Sequence, residues 1–350
     1  MRCFCVTGHD QPLSRREGPV PTPTGKEVLV RITAAGVCHS DLHIWEGRYD
    51  LGDGKALELK DRGIKLPLTM GHEIAGTIAA AGPDAGDAKI GASVVVFPWL
   101  GCADCPICRR GDENLCLKSR SLGVFLDGGY ADYVLVPEAR YCVDIGTLDA
   151  AEAAPLACSG VTTYSALKKF GPSIKDEPVV IMGAGGLGHM ALMMLKAMDA
   201  KGAIVVDIDP TKREAALKAG ALKAIDGSAA DAAQQIIAAT GGGALQVLDL
   251  VGGEATVNLA LASATRGTEI VIVGLFGGEL RMPIPFFPLR PLALRGSYVG
   301  NLRELQELVG FAKAGRLKPV PVTRRPLEEA NDALMALRDG KIVGRVVLVP

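Results

Sequence analysis

A glycine-rich turn between an apolar run and a helical segment limits the fold of this chain more than any other feature. The run Val179–Met182 is continuously apolar, as a parallel strand buried on both faces requires. The turn that follows reads Gly183-Ala184-Gly185-Gly186-Leu187-Gly188, and residues 187–200 are predicted to form a helix. Residues 203–206 form a second apolar run, which leads directly into Asp207. This succession predicts a βαβ unit with a tight turn between the first strand and its helix.

The same alternation continues along the middle of the chain. A helix is predicted over residues 211–219, and further apolar runs lie at residues 247–251 and 269–273. Repeated βα units with apolar strands predict an α/β fold with a doubly wound parallel sheet of the Rossmann type. We therefore assign residues 155–297 to this domain.

The glycine turn predicts that this domain binds a dinucleotide. Glycines allow the backbone to approach a pyrophosphate, which the N-terminus of the following helix attracts. Asp207 lies 19 residues after Gly188, where an acid accepts hydrogen bonds from the ribose of the adenosine. Because a carboxylate there would repel the 2′-phosphate of NADP, NAD is the predicted cofactor. A glycine turn that binds no ligand is the alternative.

Residues 1–154 have a different character. They are rich in glycine and proline, and short alternating apolar runs lie at residues 28–32, 74–78, 93–97 and 133–136. This pattern is typical of short strands joined by loops, so we expect a β-rich, largely antiparallel domain. Residues 50–65 form a charged, glycine-containing insertion within it.

The last part of the chain carries elements that could belong to either domain. Amphipathic helices are predicted over residues 302–314 and 327–338, and a strand over residues 345–349. The pattern alone allows these elements to extend the parallel sheet or to return to the first domain.

Composition narrows the function classes. With 350 residues the chain is more than twice the ~150 typical of one domain, so two domains are expected. Charged residues make up 22% and the formal net charge is −1, which leaves no basic surplus for a nucleic acid partner. No run approaches the ~20 apolar residues of a membrane span, and the first residues lack the apolar core of a signal peptide. We therefore expect a cytoplasmic protein whose nine cysteines are more typical of metal ligands than of disulfides.

Four of these cysteines, Cys102, Cys105, Cys108 and Cys116, lie within fifteen positions. Four thiolates in a short segment can surround one tetrahedral zinc ion and leave no open position, which defines a structural site. An iron–sulfur cluster is the alternative, because it also takes four thiolates. Ordinary buried cysteines would not be expected to cluster in this way.

Other chemically capable residues are dispersed. Residues 38–43 contain a thiol, two imidazoles, a hydroxyl and a carboxylate, Gly71-His72-Glu73 adds an imidazole and a carboxylate, and Cys158 adds a thiol. Each has an ordinary explanation by itself, since cysteine is often buried and a turn histidine is often hydrogen-bonded. Spacing does not show that these distant positions meet.

Taken together, the motifs resemble the zinc-containing medium-chain alcohol dehydrogenases. The shared motifs occur in the order of that family: Cys38-His39-Ser40-Asp41, Gly71-His72-Glu73-x2-Gly76, the four-cysteine segment, the glycine turn, Gly296-Ser297-Tyr298-Val299-Gly300-Asn301 and Gly344-Arg345-Val346. The last two are similar to the tetrameric yeast and archaeal branch. The resemblance covers essentially the whole chain. It implies a GroES-like catalytic domain, a Rossmann coenzyme domain, and a segment, residues 298–350, that returns to the catalytic domain.

The resemblance also implies a catalytic zinc ion with three protein ligands. These are Cys38, His72 and Cys158, with water or the substrate oxygen in the fourth position. Glu73 would be an alternate ligand during ligand exchange. Asp41 would orient His72 through its other ring nitrogen.

For the proton and the cofactor, the resemblance assigns further residues. Ser40 would accept the first hydrogen bond from the substrate, and His43 would release the proton, since an ordinary histidine pKa is about 6.5. The residues assigned to NAD, beside the glycine turn, are His39 and Arg345 at the pyrophosphate, Thr162 against the nicotinamide, the backbone of Val273 and Leu275 at its carboxamide, and Lys212 beside Asp207 at the adenosine ribose.

The implied reaction is the reversible oxidation of a small primary or secondary alcohol to an aldehyde or ketone, with hydride transfer to NAD. Trp99 and Trp45 are candidates for lining the substrate pocket. Residues 3–6, Trp45-Glu46-Gly47 and the insertion resemble bacterial dehydrogenases of ω-hydroxy fatty acids such as 6-hydroxyhexanoate. The alternatives are a polyol or formaldehyde dehydrogenase of the same superfamily, or a nucleotide-binding relative without catalysis. A homotetramer or homodimer is expected, with neither a membrane nor a nucleic acid as partner.

Overall fold

The computed structural model describes residues 1–342 and 344–350. The strands in these ranges are β1 (Arg2–Val6), β2 (Ser14–Glu17), β3 (Val28–Gly36), β4 (Arg48–Gly52), β5 (Lys55–Glu58), β6 (Leu68–Thr69), β7 (Glu73–Ala81), β8 (Ser93–Val96), β9 (Tyr133–Val136), β10 (Cys142–Asp144), β11 (Val179–Met182), β12 (Ala203–Asp207), β13 (Lys223–Asp226), β14 (Ala244–Asp249), β15 (Ala264–Ile272), β16 (Ala293–Gly296), β17 (Val322–Pro326) and β18 (Arg345–Val349).

The α-helices in the same ranges are α1 (His39–Glu46), α2 (Pro106–Arg109), α3 (Ala150–Ala153), α4 (Ser159–Lys168), α5 (Gly186–Ala197), α6 (Pro210–Lys218), α7 (Ala232–Ala239), α8 (Glu254–Ala262), α9 (Phe286–Leu289), α10 (Leu302–Lys313) and α11 (Ala330–Arg338). Short 3-10 helices lie at Leu59–Arg62, Glu113–Leu115, Ala139–Tyr141, Ala154–Ala157, Gly171–Lys175 and Leu327–Glu329. Of the helices described, none is both long and apolar enough to cross a membrane.

The chain divides into two compact units. The β-rich unit comprises Met1–Arg48, Glu58–Val161 and Gly300–Pro350. The parallel-sheet unit comprises Tyr49–Leu57 and Thr162–Val299. The two ends of the chain therefore share one unit, and the middle of the chain forms most of the other.

A six-stranded parallel sheet organises the parallel-sheet unit, in the order β13-β12-β11-β14-β15-β16. Every residue of β11 is buried, as expected for a central strand of such a sheet. Because β12 and β14 flank β11, the strand order reverses beside β11, and doubly wound sheets bind ligands at the carboxyl ends of strands at such a point. The predicted doubly wound fold is confirmed.

The β-rich unit is built on a mixed sheet in the order β10-β8-β7-β3-β18-β17, with β9 also paired to β3. Its longest pairing joins β3 and β7, which run antiparallel. The end of the chain enters this sheet, because β18 pairs antiparallel with β3 and parallel with β17. The tail therefore returns to the β-rich unit.

The charged insertion forms a small hairpin of its own. β4 and β5 pair only with each other among the described strands. Within the parallel-sheet unit, Lys55 contacts Glu279 at 3.4 Å and Asp53 contacts Arg281 at 3.2 Å. These ion pairs are exposed, so their net contribution to stability is small.

Candidate active site

The pairing of β3 with β7 brings two of the expected metal ligands together. In that register Gly36 lies opposite Glu73. Cys38 lies two residues beyond the end of β3, at the N-cap of α1, and His72 immediately precedes β7. A sheet register therefore determines that Cys38 and His72 meet, although they are far apart in the sequence.

The third expected ligand arrives from a separate segment. Cys158 follows the 3-10 helix Ala154–Ala157, which packs against β3, β7 and β8. The Sγ atoms of Cys38 and Cys158 are 3.7 Å apart. The ligand atoms of these two cysteines, His72 and Glu73 all lie within 4.8 Å of one another, and all four residues are buried. The cluster belongs entirely to the β-rich unit.

The geometry and chemistry of this cluster fit a zinc ion. Zinc–sulfur bonds separate two sulfurs of a tetrahedral site by about 3.8 Å, close to the 3.7 Å between Cys38 and Cys158. The Nε2 atom of His72 is buried and finds no hydrogen-bond partner among the described residues. A buried nitrogen without a partner is costly, and a metal ion would satisfy it. Thiolates and imidazoles are the ligands that zinc prefers in proteins.

The carboxylate of Asp41 contacts the imidazole of His72. Its Oδ1 is 3.1 Å from His72 Nδ1, a short contact that is poorly aligned for a hydrogen bond. Its Oδ2 accepts the backbone N–H of Cys38 at 2.9 Å. Burial opposes protonation of the imidazole, but Asp41 and Cys38 together outweigh burial and raise the pKa of His72. With Nδ1 facing Asp41, Nε2 is the nitrogen available to a metal ion.

The two thiols influence each other strongly. A hydrogen bond from the Cys158 thiol lowers the pKa of Cys38 well below its ordinary value, and the same bond raises the pKa of Cys158. A cysteine binds metal as the thiolate, so the proton that the two thiols share would be released when a metal ion binds.

Glu73 forms a buried ion pair. The Nε of Arg345 donates to Glu73 Oε2 at 3.1 Å, and its Nη2 donates to Oε1. Burial raises the pKa of Glu73 to about 7, and Arg345 opposes that shift. The family resemblance assigns Arg345 to the pyrophosphate of the cofactor. Here its guanidinium contacts Glu73, so the pyrophosphate contact stays a prediction.

Helix α1 carries the residues expected to move the proton. His39 is exposed, whereas Ser40 and His43 are half-buried. The ring centroids of His39 and His43 are 6.1 Å apart. Burial, and then the charge of His39, lowers the pKa of His43. A histidine that stays neutral near physiological pH can accept a proton.

The two tryptophans expected at the substrate pocket are both buried in the β-rich unit. Trp99 is tilted against the ring of His72 at a centroid distance of 5.2 Å, and its indole N–H donates to the carbonyl of Ala157 at 2.8 Å. Trp45 donates to the carbonyl of Gln11 at 2.6 Å. Trp99 is thus a wall of the metal site, while a pocket role for either residue stays a prediction.

The four sulfur atoms of the four-cysteine segment lie close together. Its sulfur pairs Cys105–Cys108, Cys105–Cys116 and Cys102–Cys108 are separated by 3.4, 3.9 and 4.0 Å. These distances suit the edges of a tetrahedron around a single ion, and all four sulfurs lie within 4.8 Å of one another. An iron–sulfur cluster would hold its thiolates farther apart, so the geometry favours zinc over the alternative.

A buried carboxylate anchors this segment. Glu113 accepts a hydrogen bond from Arg140 Nη1 at 2.5 Å and another from the hydroxyl of Tyr141. Burial and Glu113 both raise the pKa of Tyr141, which therefore stays a donor. These bonds anchor the four-cysteine segment to the residues just before β10.

The glycine turn has the close approaches that its glycines predict. Gly183 has a φ of 100°, which favours glycine. A Cβ atom at Gly188 would lie 2.3 Å from the carbonyl oxygen of Gly183. Gly185 is the exposed N-cap of α5, which begins at Gly186, and Leu187 lies in its first turn. The turn therefore presents backbone N–H groups at a helix N-terminus, where a phosphate binds.

Asp207 lies at the end of β12, beside this turn. Its carboxylate accepts the N–H of Ala184 at 2.7 Å and that of Asp209 at 2.9 Å. The residue that we expect to contact the ribose therefore also braces the glycine turn.

The other residues that are expected to contact NAD differ in how deeply they are buried. Thr162 is buried, and its Oγ1 has no hydrogen-bond partner in the described part of the chain. The N–H of Val273 donates to the carbonyl of Asp249 at 2.8 Å. Leu275 is exposed and Lys212 half-exposed. Their contacts with a cofactor stay predictions.

Sequence reasoning missed one residue near the metal cluster. Tyr130 is completely buried, and its hydroxyl donates to Asp41 Oδ2 at 2.9 Å. The signal was a tyrosine directly after two glycines, at a point where no strand is predicted. Nothing in the linear sequence relates that turn to Asp41.

Known proteins resemble this chain over its whole length. Residues 24–147 match the alcohol dehydrogenase GroES-like domain, and residues 186–314 match the zinc-binding dehydrogenase domain. The NAD-dependent alcohol dehydrogenase of Sulfurisphaera tokodaii is 42% identical over 100% of both chains. That of Saccharolobus solfataricus is 40% identical, again over 100% of both. The crystal structure of the alcohol dehydrogenase from Aeropyrum pernix superposes with a TM-score of 0.90 at 33% identity, covering 100% of each chain.

The chain is 42% and 40% identical to two relatives over its full length, it matches both domain families, and it has two clusters of residues that could hold a metal ion. The chain belongs to the family of zinc-binding dehydrogenases with an alcohol dehydrogenase GroES-like domain.

Proposed function

We propose that this protein is a zinc-dependent, NAD-linked alcohol dehydrogenase. It oxidises primary or secondary alcohols reversibly to aldehydes or ketones. The observation that carries the proposal is the buried cluster of Cys38, His72, Glu73 and Cys158, whose ligand atoms lie within 4.8 Å of one another. The names of the full-length relatives support the same activity.

Three ligands, Cys38, His72 and Cys158, would hold the catalytic zinc and leave the fourth position to the substrate, with Glu73 as an alternate ligand. When bound, zinc supplies a Lewis acid that lowers the pKa of an alcohol, and NAD supplies the acceptor of the hydride. Asp41 orients His72 from behind. Trp99 is tilted against one side of the imidazole, where it would exclude water.

The proton of the alcohol leaves along α1. Ser40 would accept it while its own hydroxyl proton is passed on, and His43 would release a proton to solvent, because the lowered pKa of His43 keeps its ring neutral and able to accept. The turn Gly183 to Gly188 would bind the pyrophosphate of NAD, and Asp207 the hydroxyls of the adenosine ribose. The cysteines of the four-cysteine segment would hold a second, structural zinc.

The proposal also includes the substrate, the compartment and the oligomeric state of the enzyme. Its partner is a small-molecule alcohol or carbonyl compound. We expect it to act in the cytoplasm, as a homotetramer or homodimer. An ω-hydroxy acid such as 6-hydroxyhexanoate is one substrate to test.

A screen for NADH formation tests the proposed function. The purified enzyme is given NAD and alcohols that vary in chain length, branching and a terminal carboxylate, and NADH absorbance is followed. We expect turnover with several primary or secondary alcohols. The Cys38→Ala variant should lose turnover while still binding NAD in calorimetry, and Cys3→Ala, outside both metal clusters, should keep turnover. Undiminished turnover in Cys38→Ala would refute the site.

A further inference from the structure

Tyr130 is held firmly against the metal cluster by contacts on three sides. Its ring packs on Gly71, the residue before His72, and a Cβ atom at Gly71 would lie 2.4 Å from that ring. The backbone N–H of Tyr130 donates to the carbonyl of Met70 at 2.8 Å, and its carbonyl accepts the N–H of Phe4 at 2.8 Å. The side chain is completely buried. Its hydroxyl therefore has a fixed position.

That hydroxyl is aimed at the carboxylate of Asp41. Asp41 Oδ2 accepts two hydrogen bonds, one from the hydroxyl of Tyr130 and one from the backbone N–H of Cys38, each at 2.9 Å. Two donors on one oxygen fix the orientation of the carboxylate plane. The other oxygen, Oδ1, is the one that faces His72 Nδ1 at 3.1 Å.

We propose that Tyr130 is a positioning residue of the metal centre: its hydroxyl holds Asp41 so that His72 presents Nε2 to the ion. This inference rests on the proposed function, since it takes Cys38, His72 and Cys158 as the ligands of the catalytic zinc. Tyr130 is not one of the candidate metal ligands. It acts through Asp41 alone.

Two effects of the hydroxyl oppose each other. A hydrogen bond from Tyr130 draws charge away from Asp41, which makes the carboxylate a weaker partner for His72. The same bond limits the rotation of a carboxylate whose contact with His72 is already poorly aligned. Because ligand orientation by outer partners governs metal affinity by about 10- to 100-fold, we expect orientation to dominate. Loss of the hydroxyl should weaken metal binding.

The test is the Tyr130→Phe variant, which keeps the ring packed on Gly71 and removes only the hydroxyl. Metal-depleted full-length protein is loaded with Co²⁺, and the visible absorption bands of the ion report its coordination. The bands that disappear in Cys38→Ala belong to the catalytic site. Competition with a chromogenic chelator then measures zinc affinity. The matched control is Tyr141→Phe, which removes another buried tyrosine hydroxyl bonded to a carboxylate, that of Glu113.

We expect zinc affinity at the catalytic site to fall about tenfold in Tyr130→Phe, the lower end for partners outside the ligand set. The cobalt bands of that site should shift, and Tyr141→Phe should leave them unchanged. In an Asp41→Asn background the effect should shrink to about threefold, because a hydrogen bond to a neutral acceptor is roughly half as strong. This smaller effect would distinguish action through Asp41 from general loosening of the fold.

Two results would overturn the inference. One is a Tyr130→Phe variant with the affinity and spectrum of the unaltered protein. The other is an equal loss in Tyr141→Phe or an undiminished effect beside Asp41→Asn. If the unaltered protein shows no bands that depend on Cys38, the proposed function itself fails, and this outcome is separate from the other two.

Discussion

The ring of His43 lies on α1, one turn and a half from the cysteine that caps the helix, and its surroundings favour the neutral form. Burial, and then the charge of His39, lowers its pKa below the ordinary value of 6.5, while Cys38 acts in the opposite direction. The unfolded chain therefore binds this proton more readily than the folded protein does. The contribution of His43 to stability is present above pH 6.5 and is lost as the pH falls below it.

The lowered pKa of His43 predicts how the rate of alcohol oxidation falls at acid pH. If His43 accepts the proton, kcat for alcohol oxidation should fall at acid pH with an apparent pKa below 6.5. The His43→Gln variant should lose on the order of a hundredfold in kcat at neutral pH, because general base catalysis contributes about that much or more. Steady-state rates across pH measure both. An unchanged kcat in the variant would remove His43 from the route of the proton.

Asp207 gives a second prediction at this scale. Because its carboxylate would repel a 2′-phosphate, Asp207→Gly should shift the ratio of kcat/KM values from NAD toward NADP. The variant should also bind NAD more weakly, since Asp207 accepts the N–H of Ala184 in the glycine turn. Asp209→Asn is the control, because asparagine still caps α6 and only a neighbouring charge is lost. A preference for NADP in the unaltered enzyme would contradict the assignment.

Individual residues of the site were predictable to different degrees. Local spacing was enough to single out the four-cysteine segment, because its ligands are neighbours in the chain. Cys38, His72 and Cys158 needed the family resemblance, since the register of β3 with β7 and the packing of residues 154–157 bring them together. Tyr130 was missed because its partner, Asp41, is 89 positions away.

Among the secondary-structure elements, the strand predicted at residues 179–182 has the bounds of β11. The predicted strand at 345–349 has the bounds of β18, whereas the helix predicted over 187–200 ends at Ala197 as α5. The chain turns there, and Asp199 adopts a left-handed φ of 55°. The apolar pattern alone could not predict the destination of β18, because a buried strand has the same pattern in either sheet, and only the family resemblance implied its return to the first domain. Its pairing with β3 joins residues that are far apart in the sequence.

The four-cysteine segment supplies a prediction for a whole element. Cys105 is the N-cap of α2, a helix of only four residues, which cannot be stable without its metal. Cys105→Ser should therefore lose one zinc ion per chain and expose residues 102–116 to proteases. Limited proteolysis with mass spectrometry locates the cuts. Cys3→Ser should show the cleavage pattern of the unaltered protein, and the same pattern in Cys105→Ser would mean that the segment folds without metal.

For the molecule as a whole, the two metal clusters have different electrostatic surroundings. The cluster that we propose to be catalytic is buried, and it contains the ion pair of Glu73 with Arg345 and an imidazole nitrogen that has no hydrogen-bond partner among the described residues. The four-cysteine cluster has two half-exposed cysteines, and its four thiolates would complete a tetrahedral site without an open position. The first is arranged to exchange a ligand, and the second to retain its ion. The two sites should therefore fill and empty independently.

Elemental analysis of four proteins tests that independence. The unaltered protein should contain two zinc ions per chain, one for each cluster. Cys38→Ala and Cys105→Ser should each contain one, and the double variant none. Cys38→Ala should stop turnover with little loss of melting temperature, whereas Cys105→Ser should lower the melting temperature, because the energy of binding metal is also energy of folding in a closed site. One zinc ion or none in the unaltered protein would contradict the catalytic assignment, and loss of both ions in either single variant would mean that the clusters are coupled.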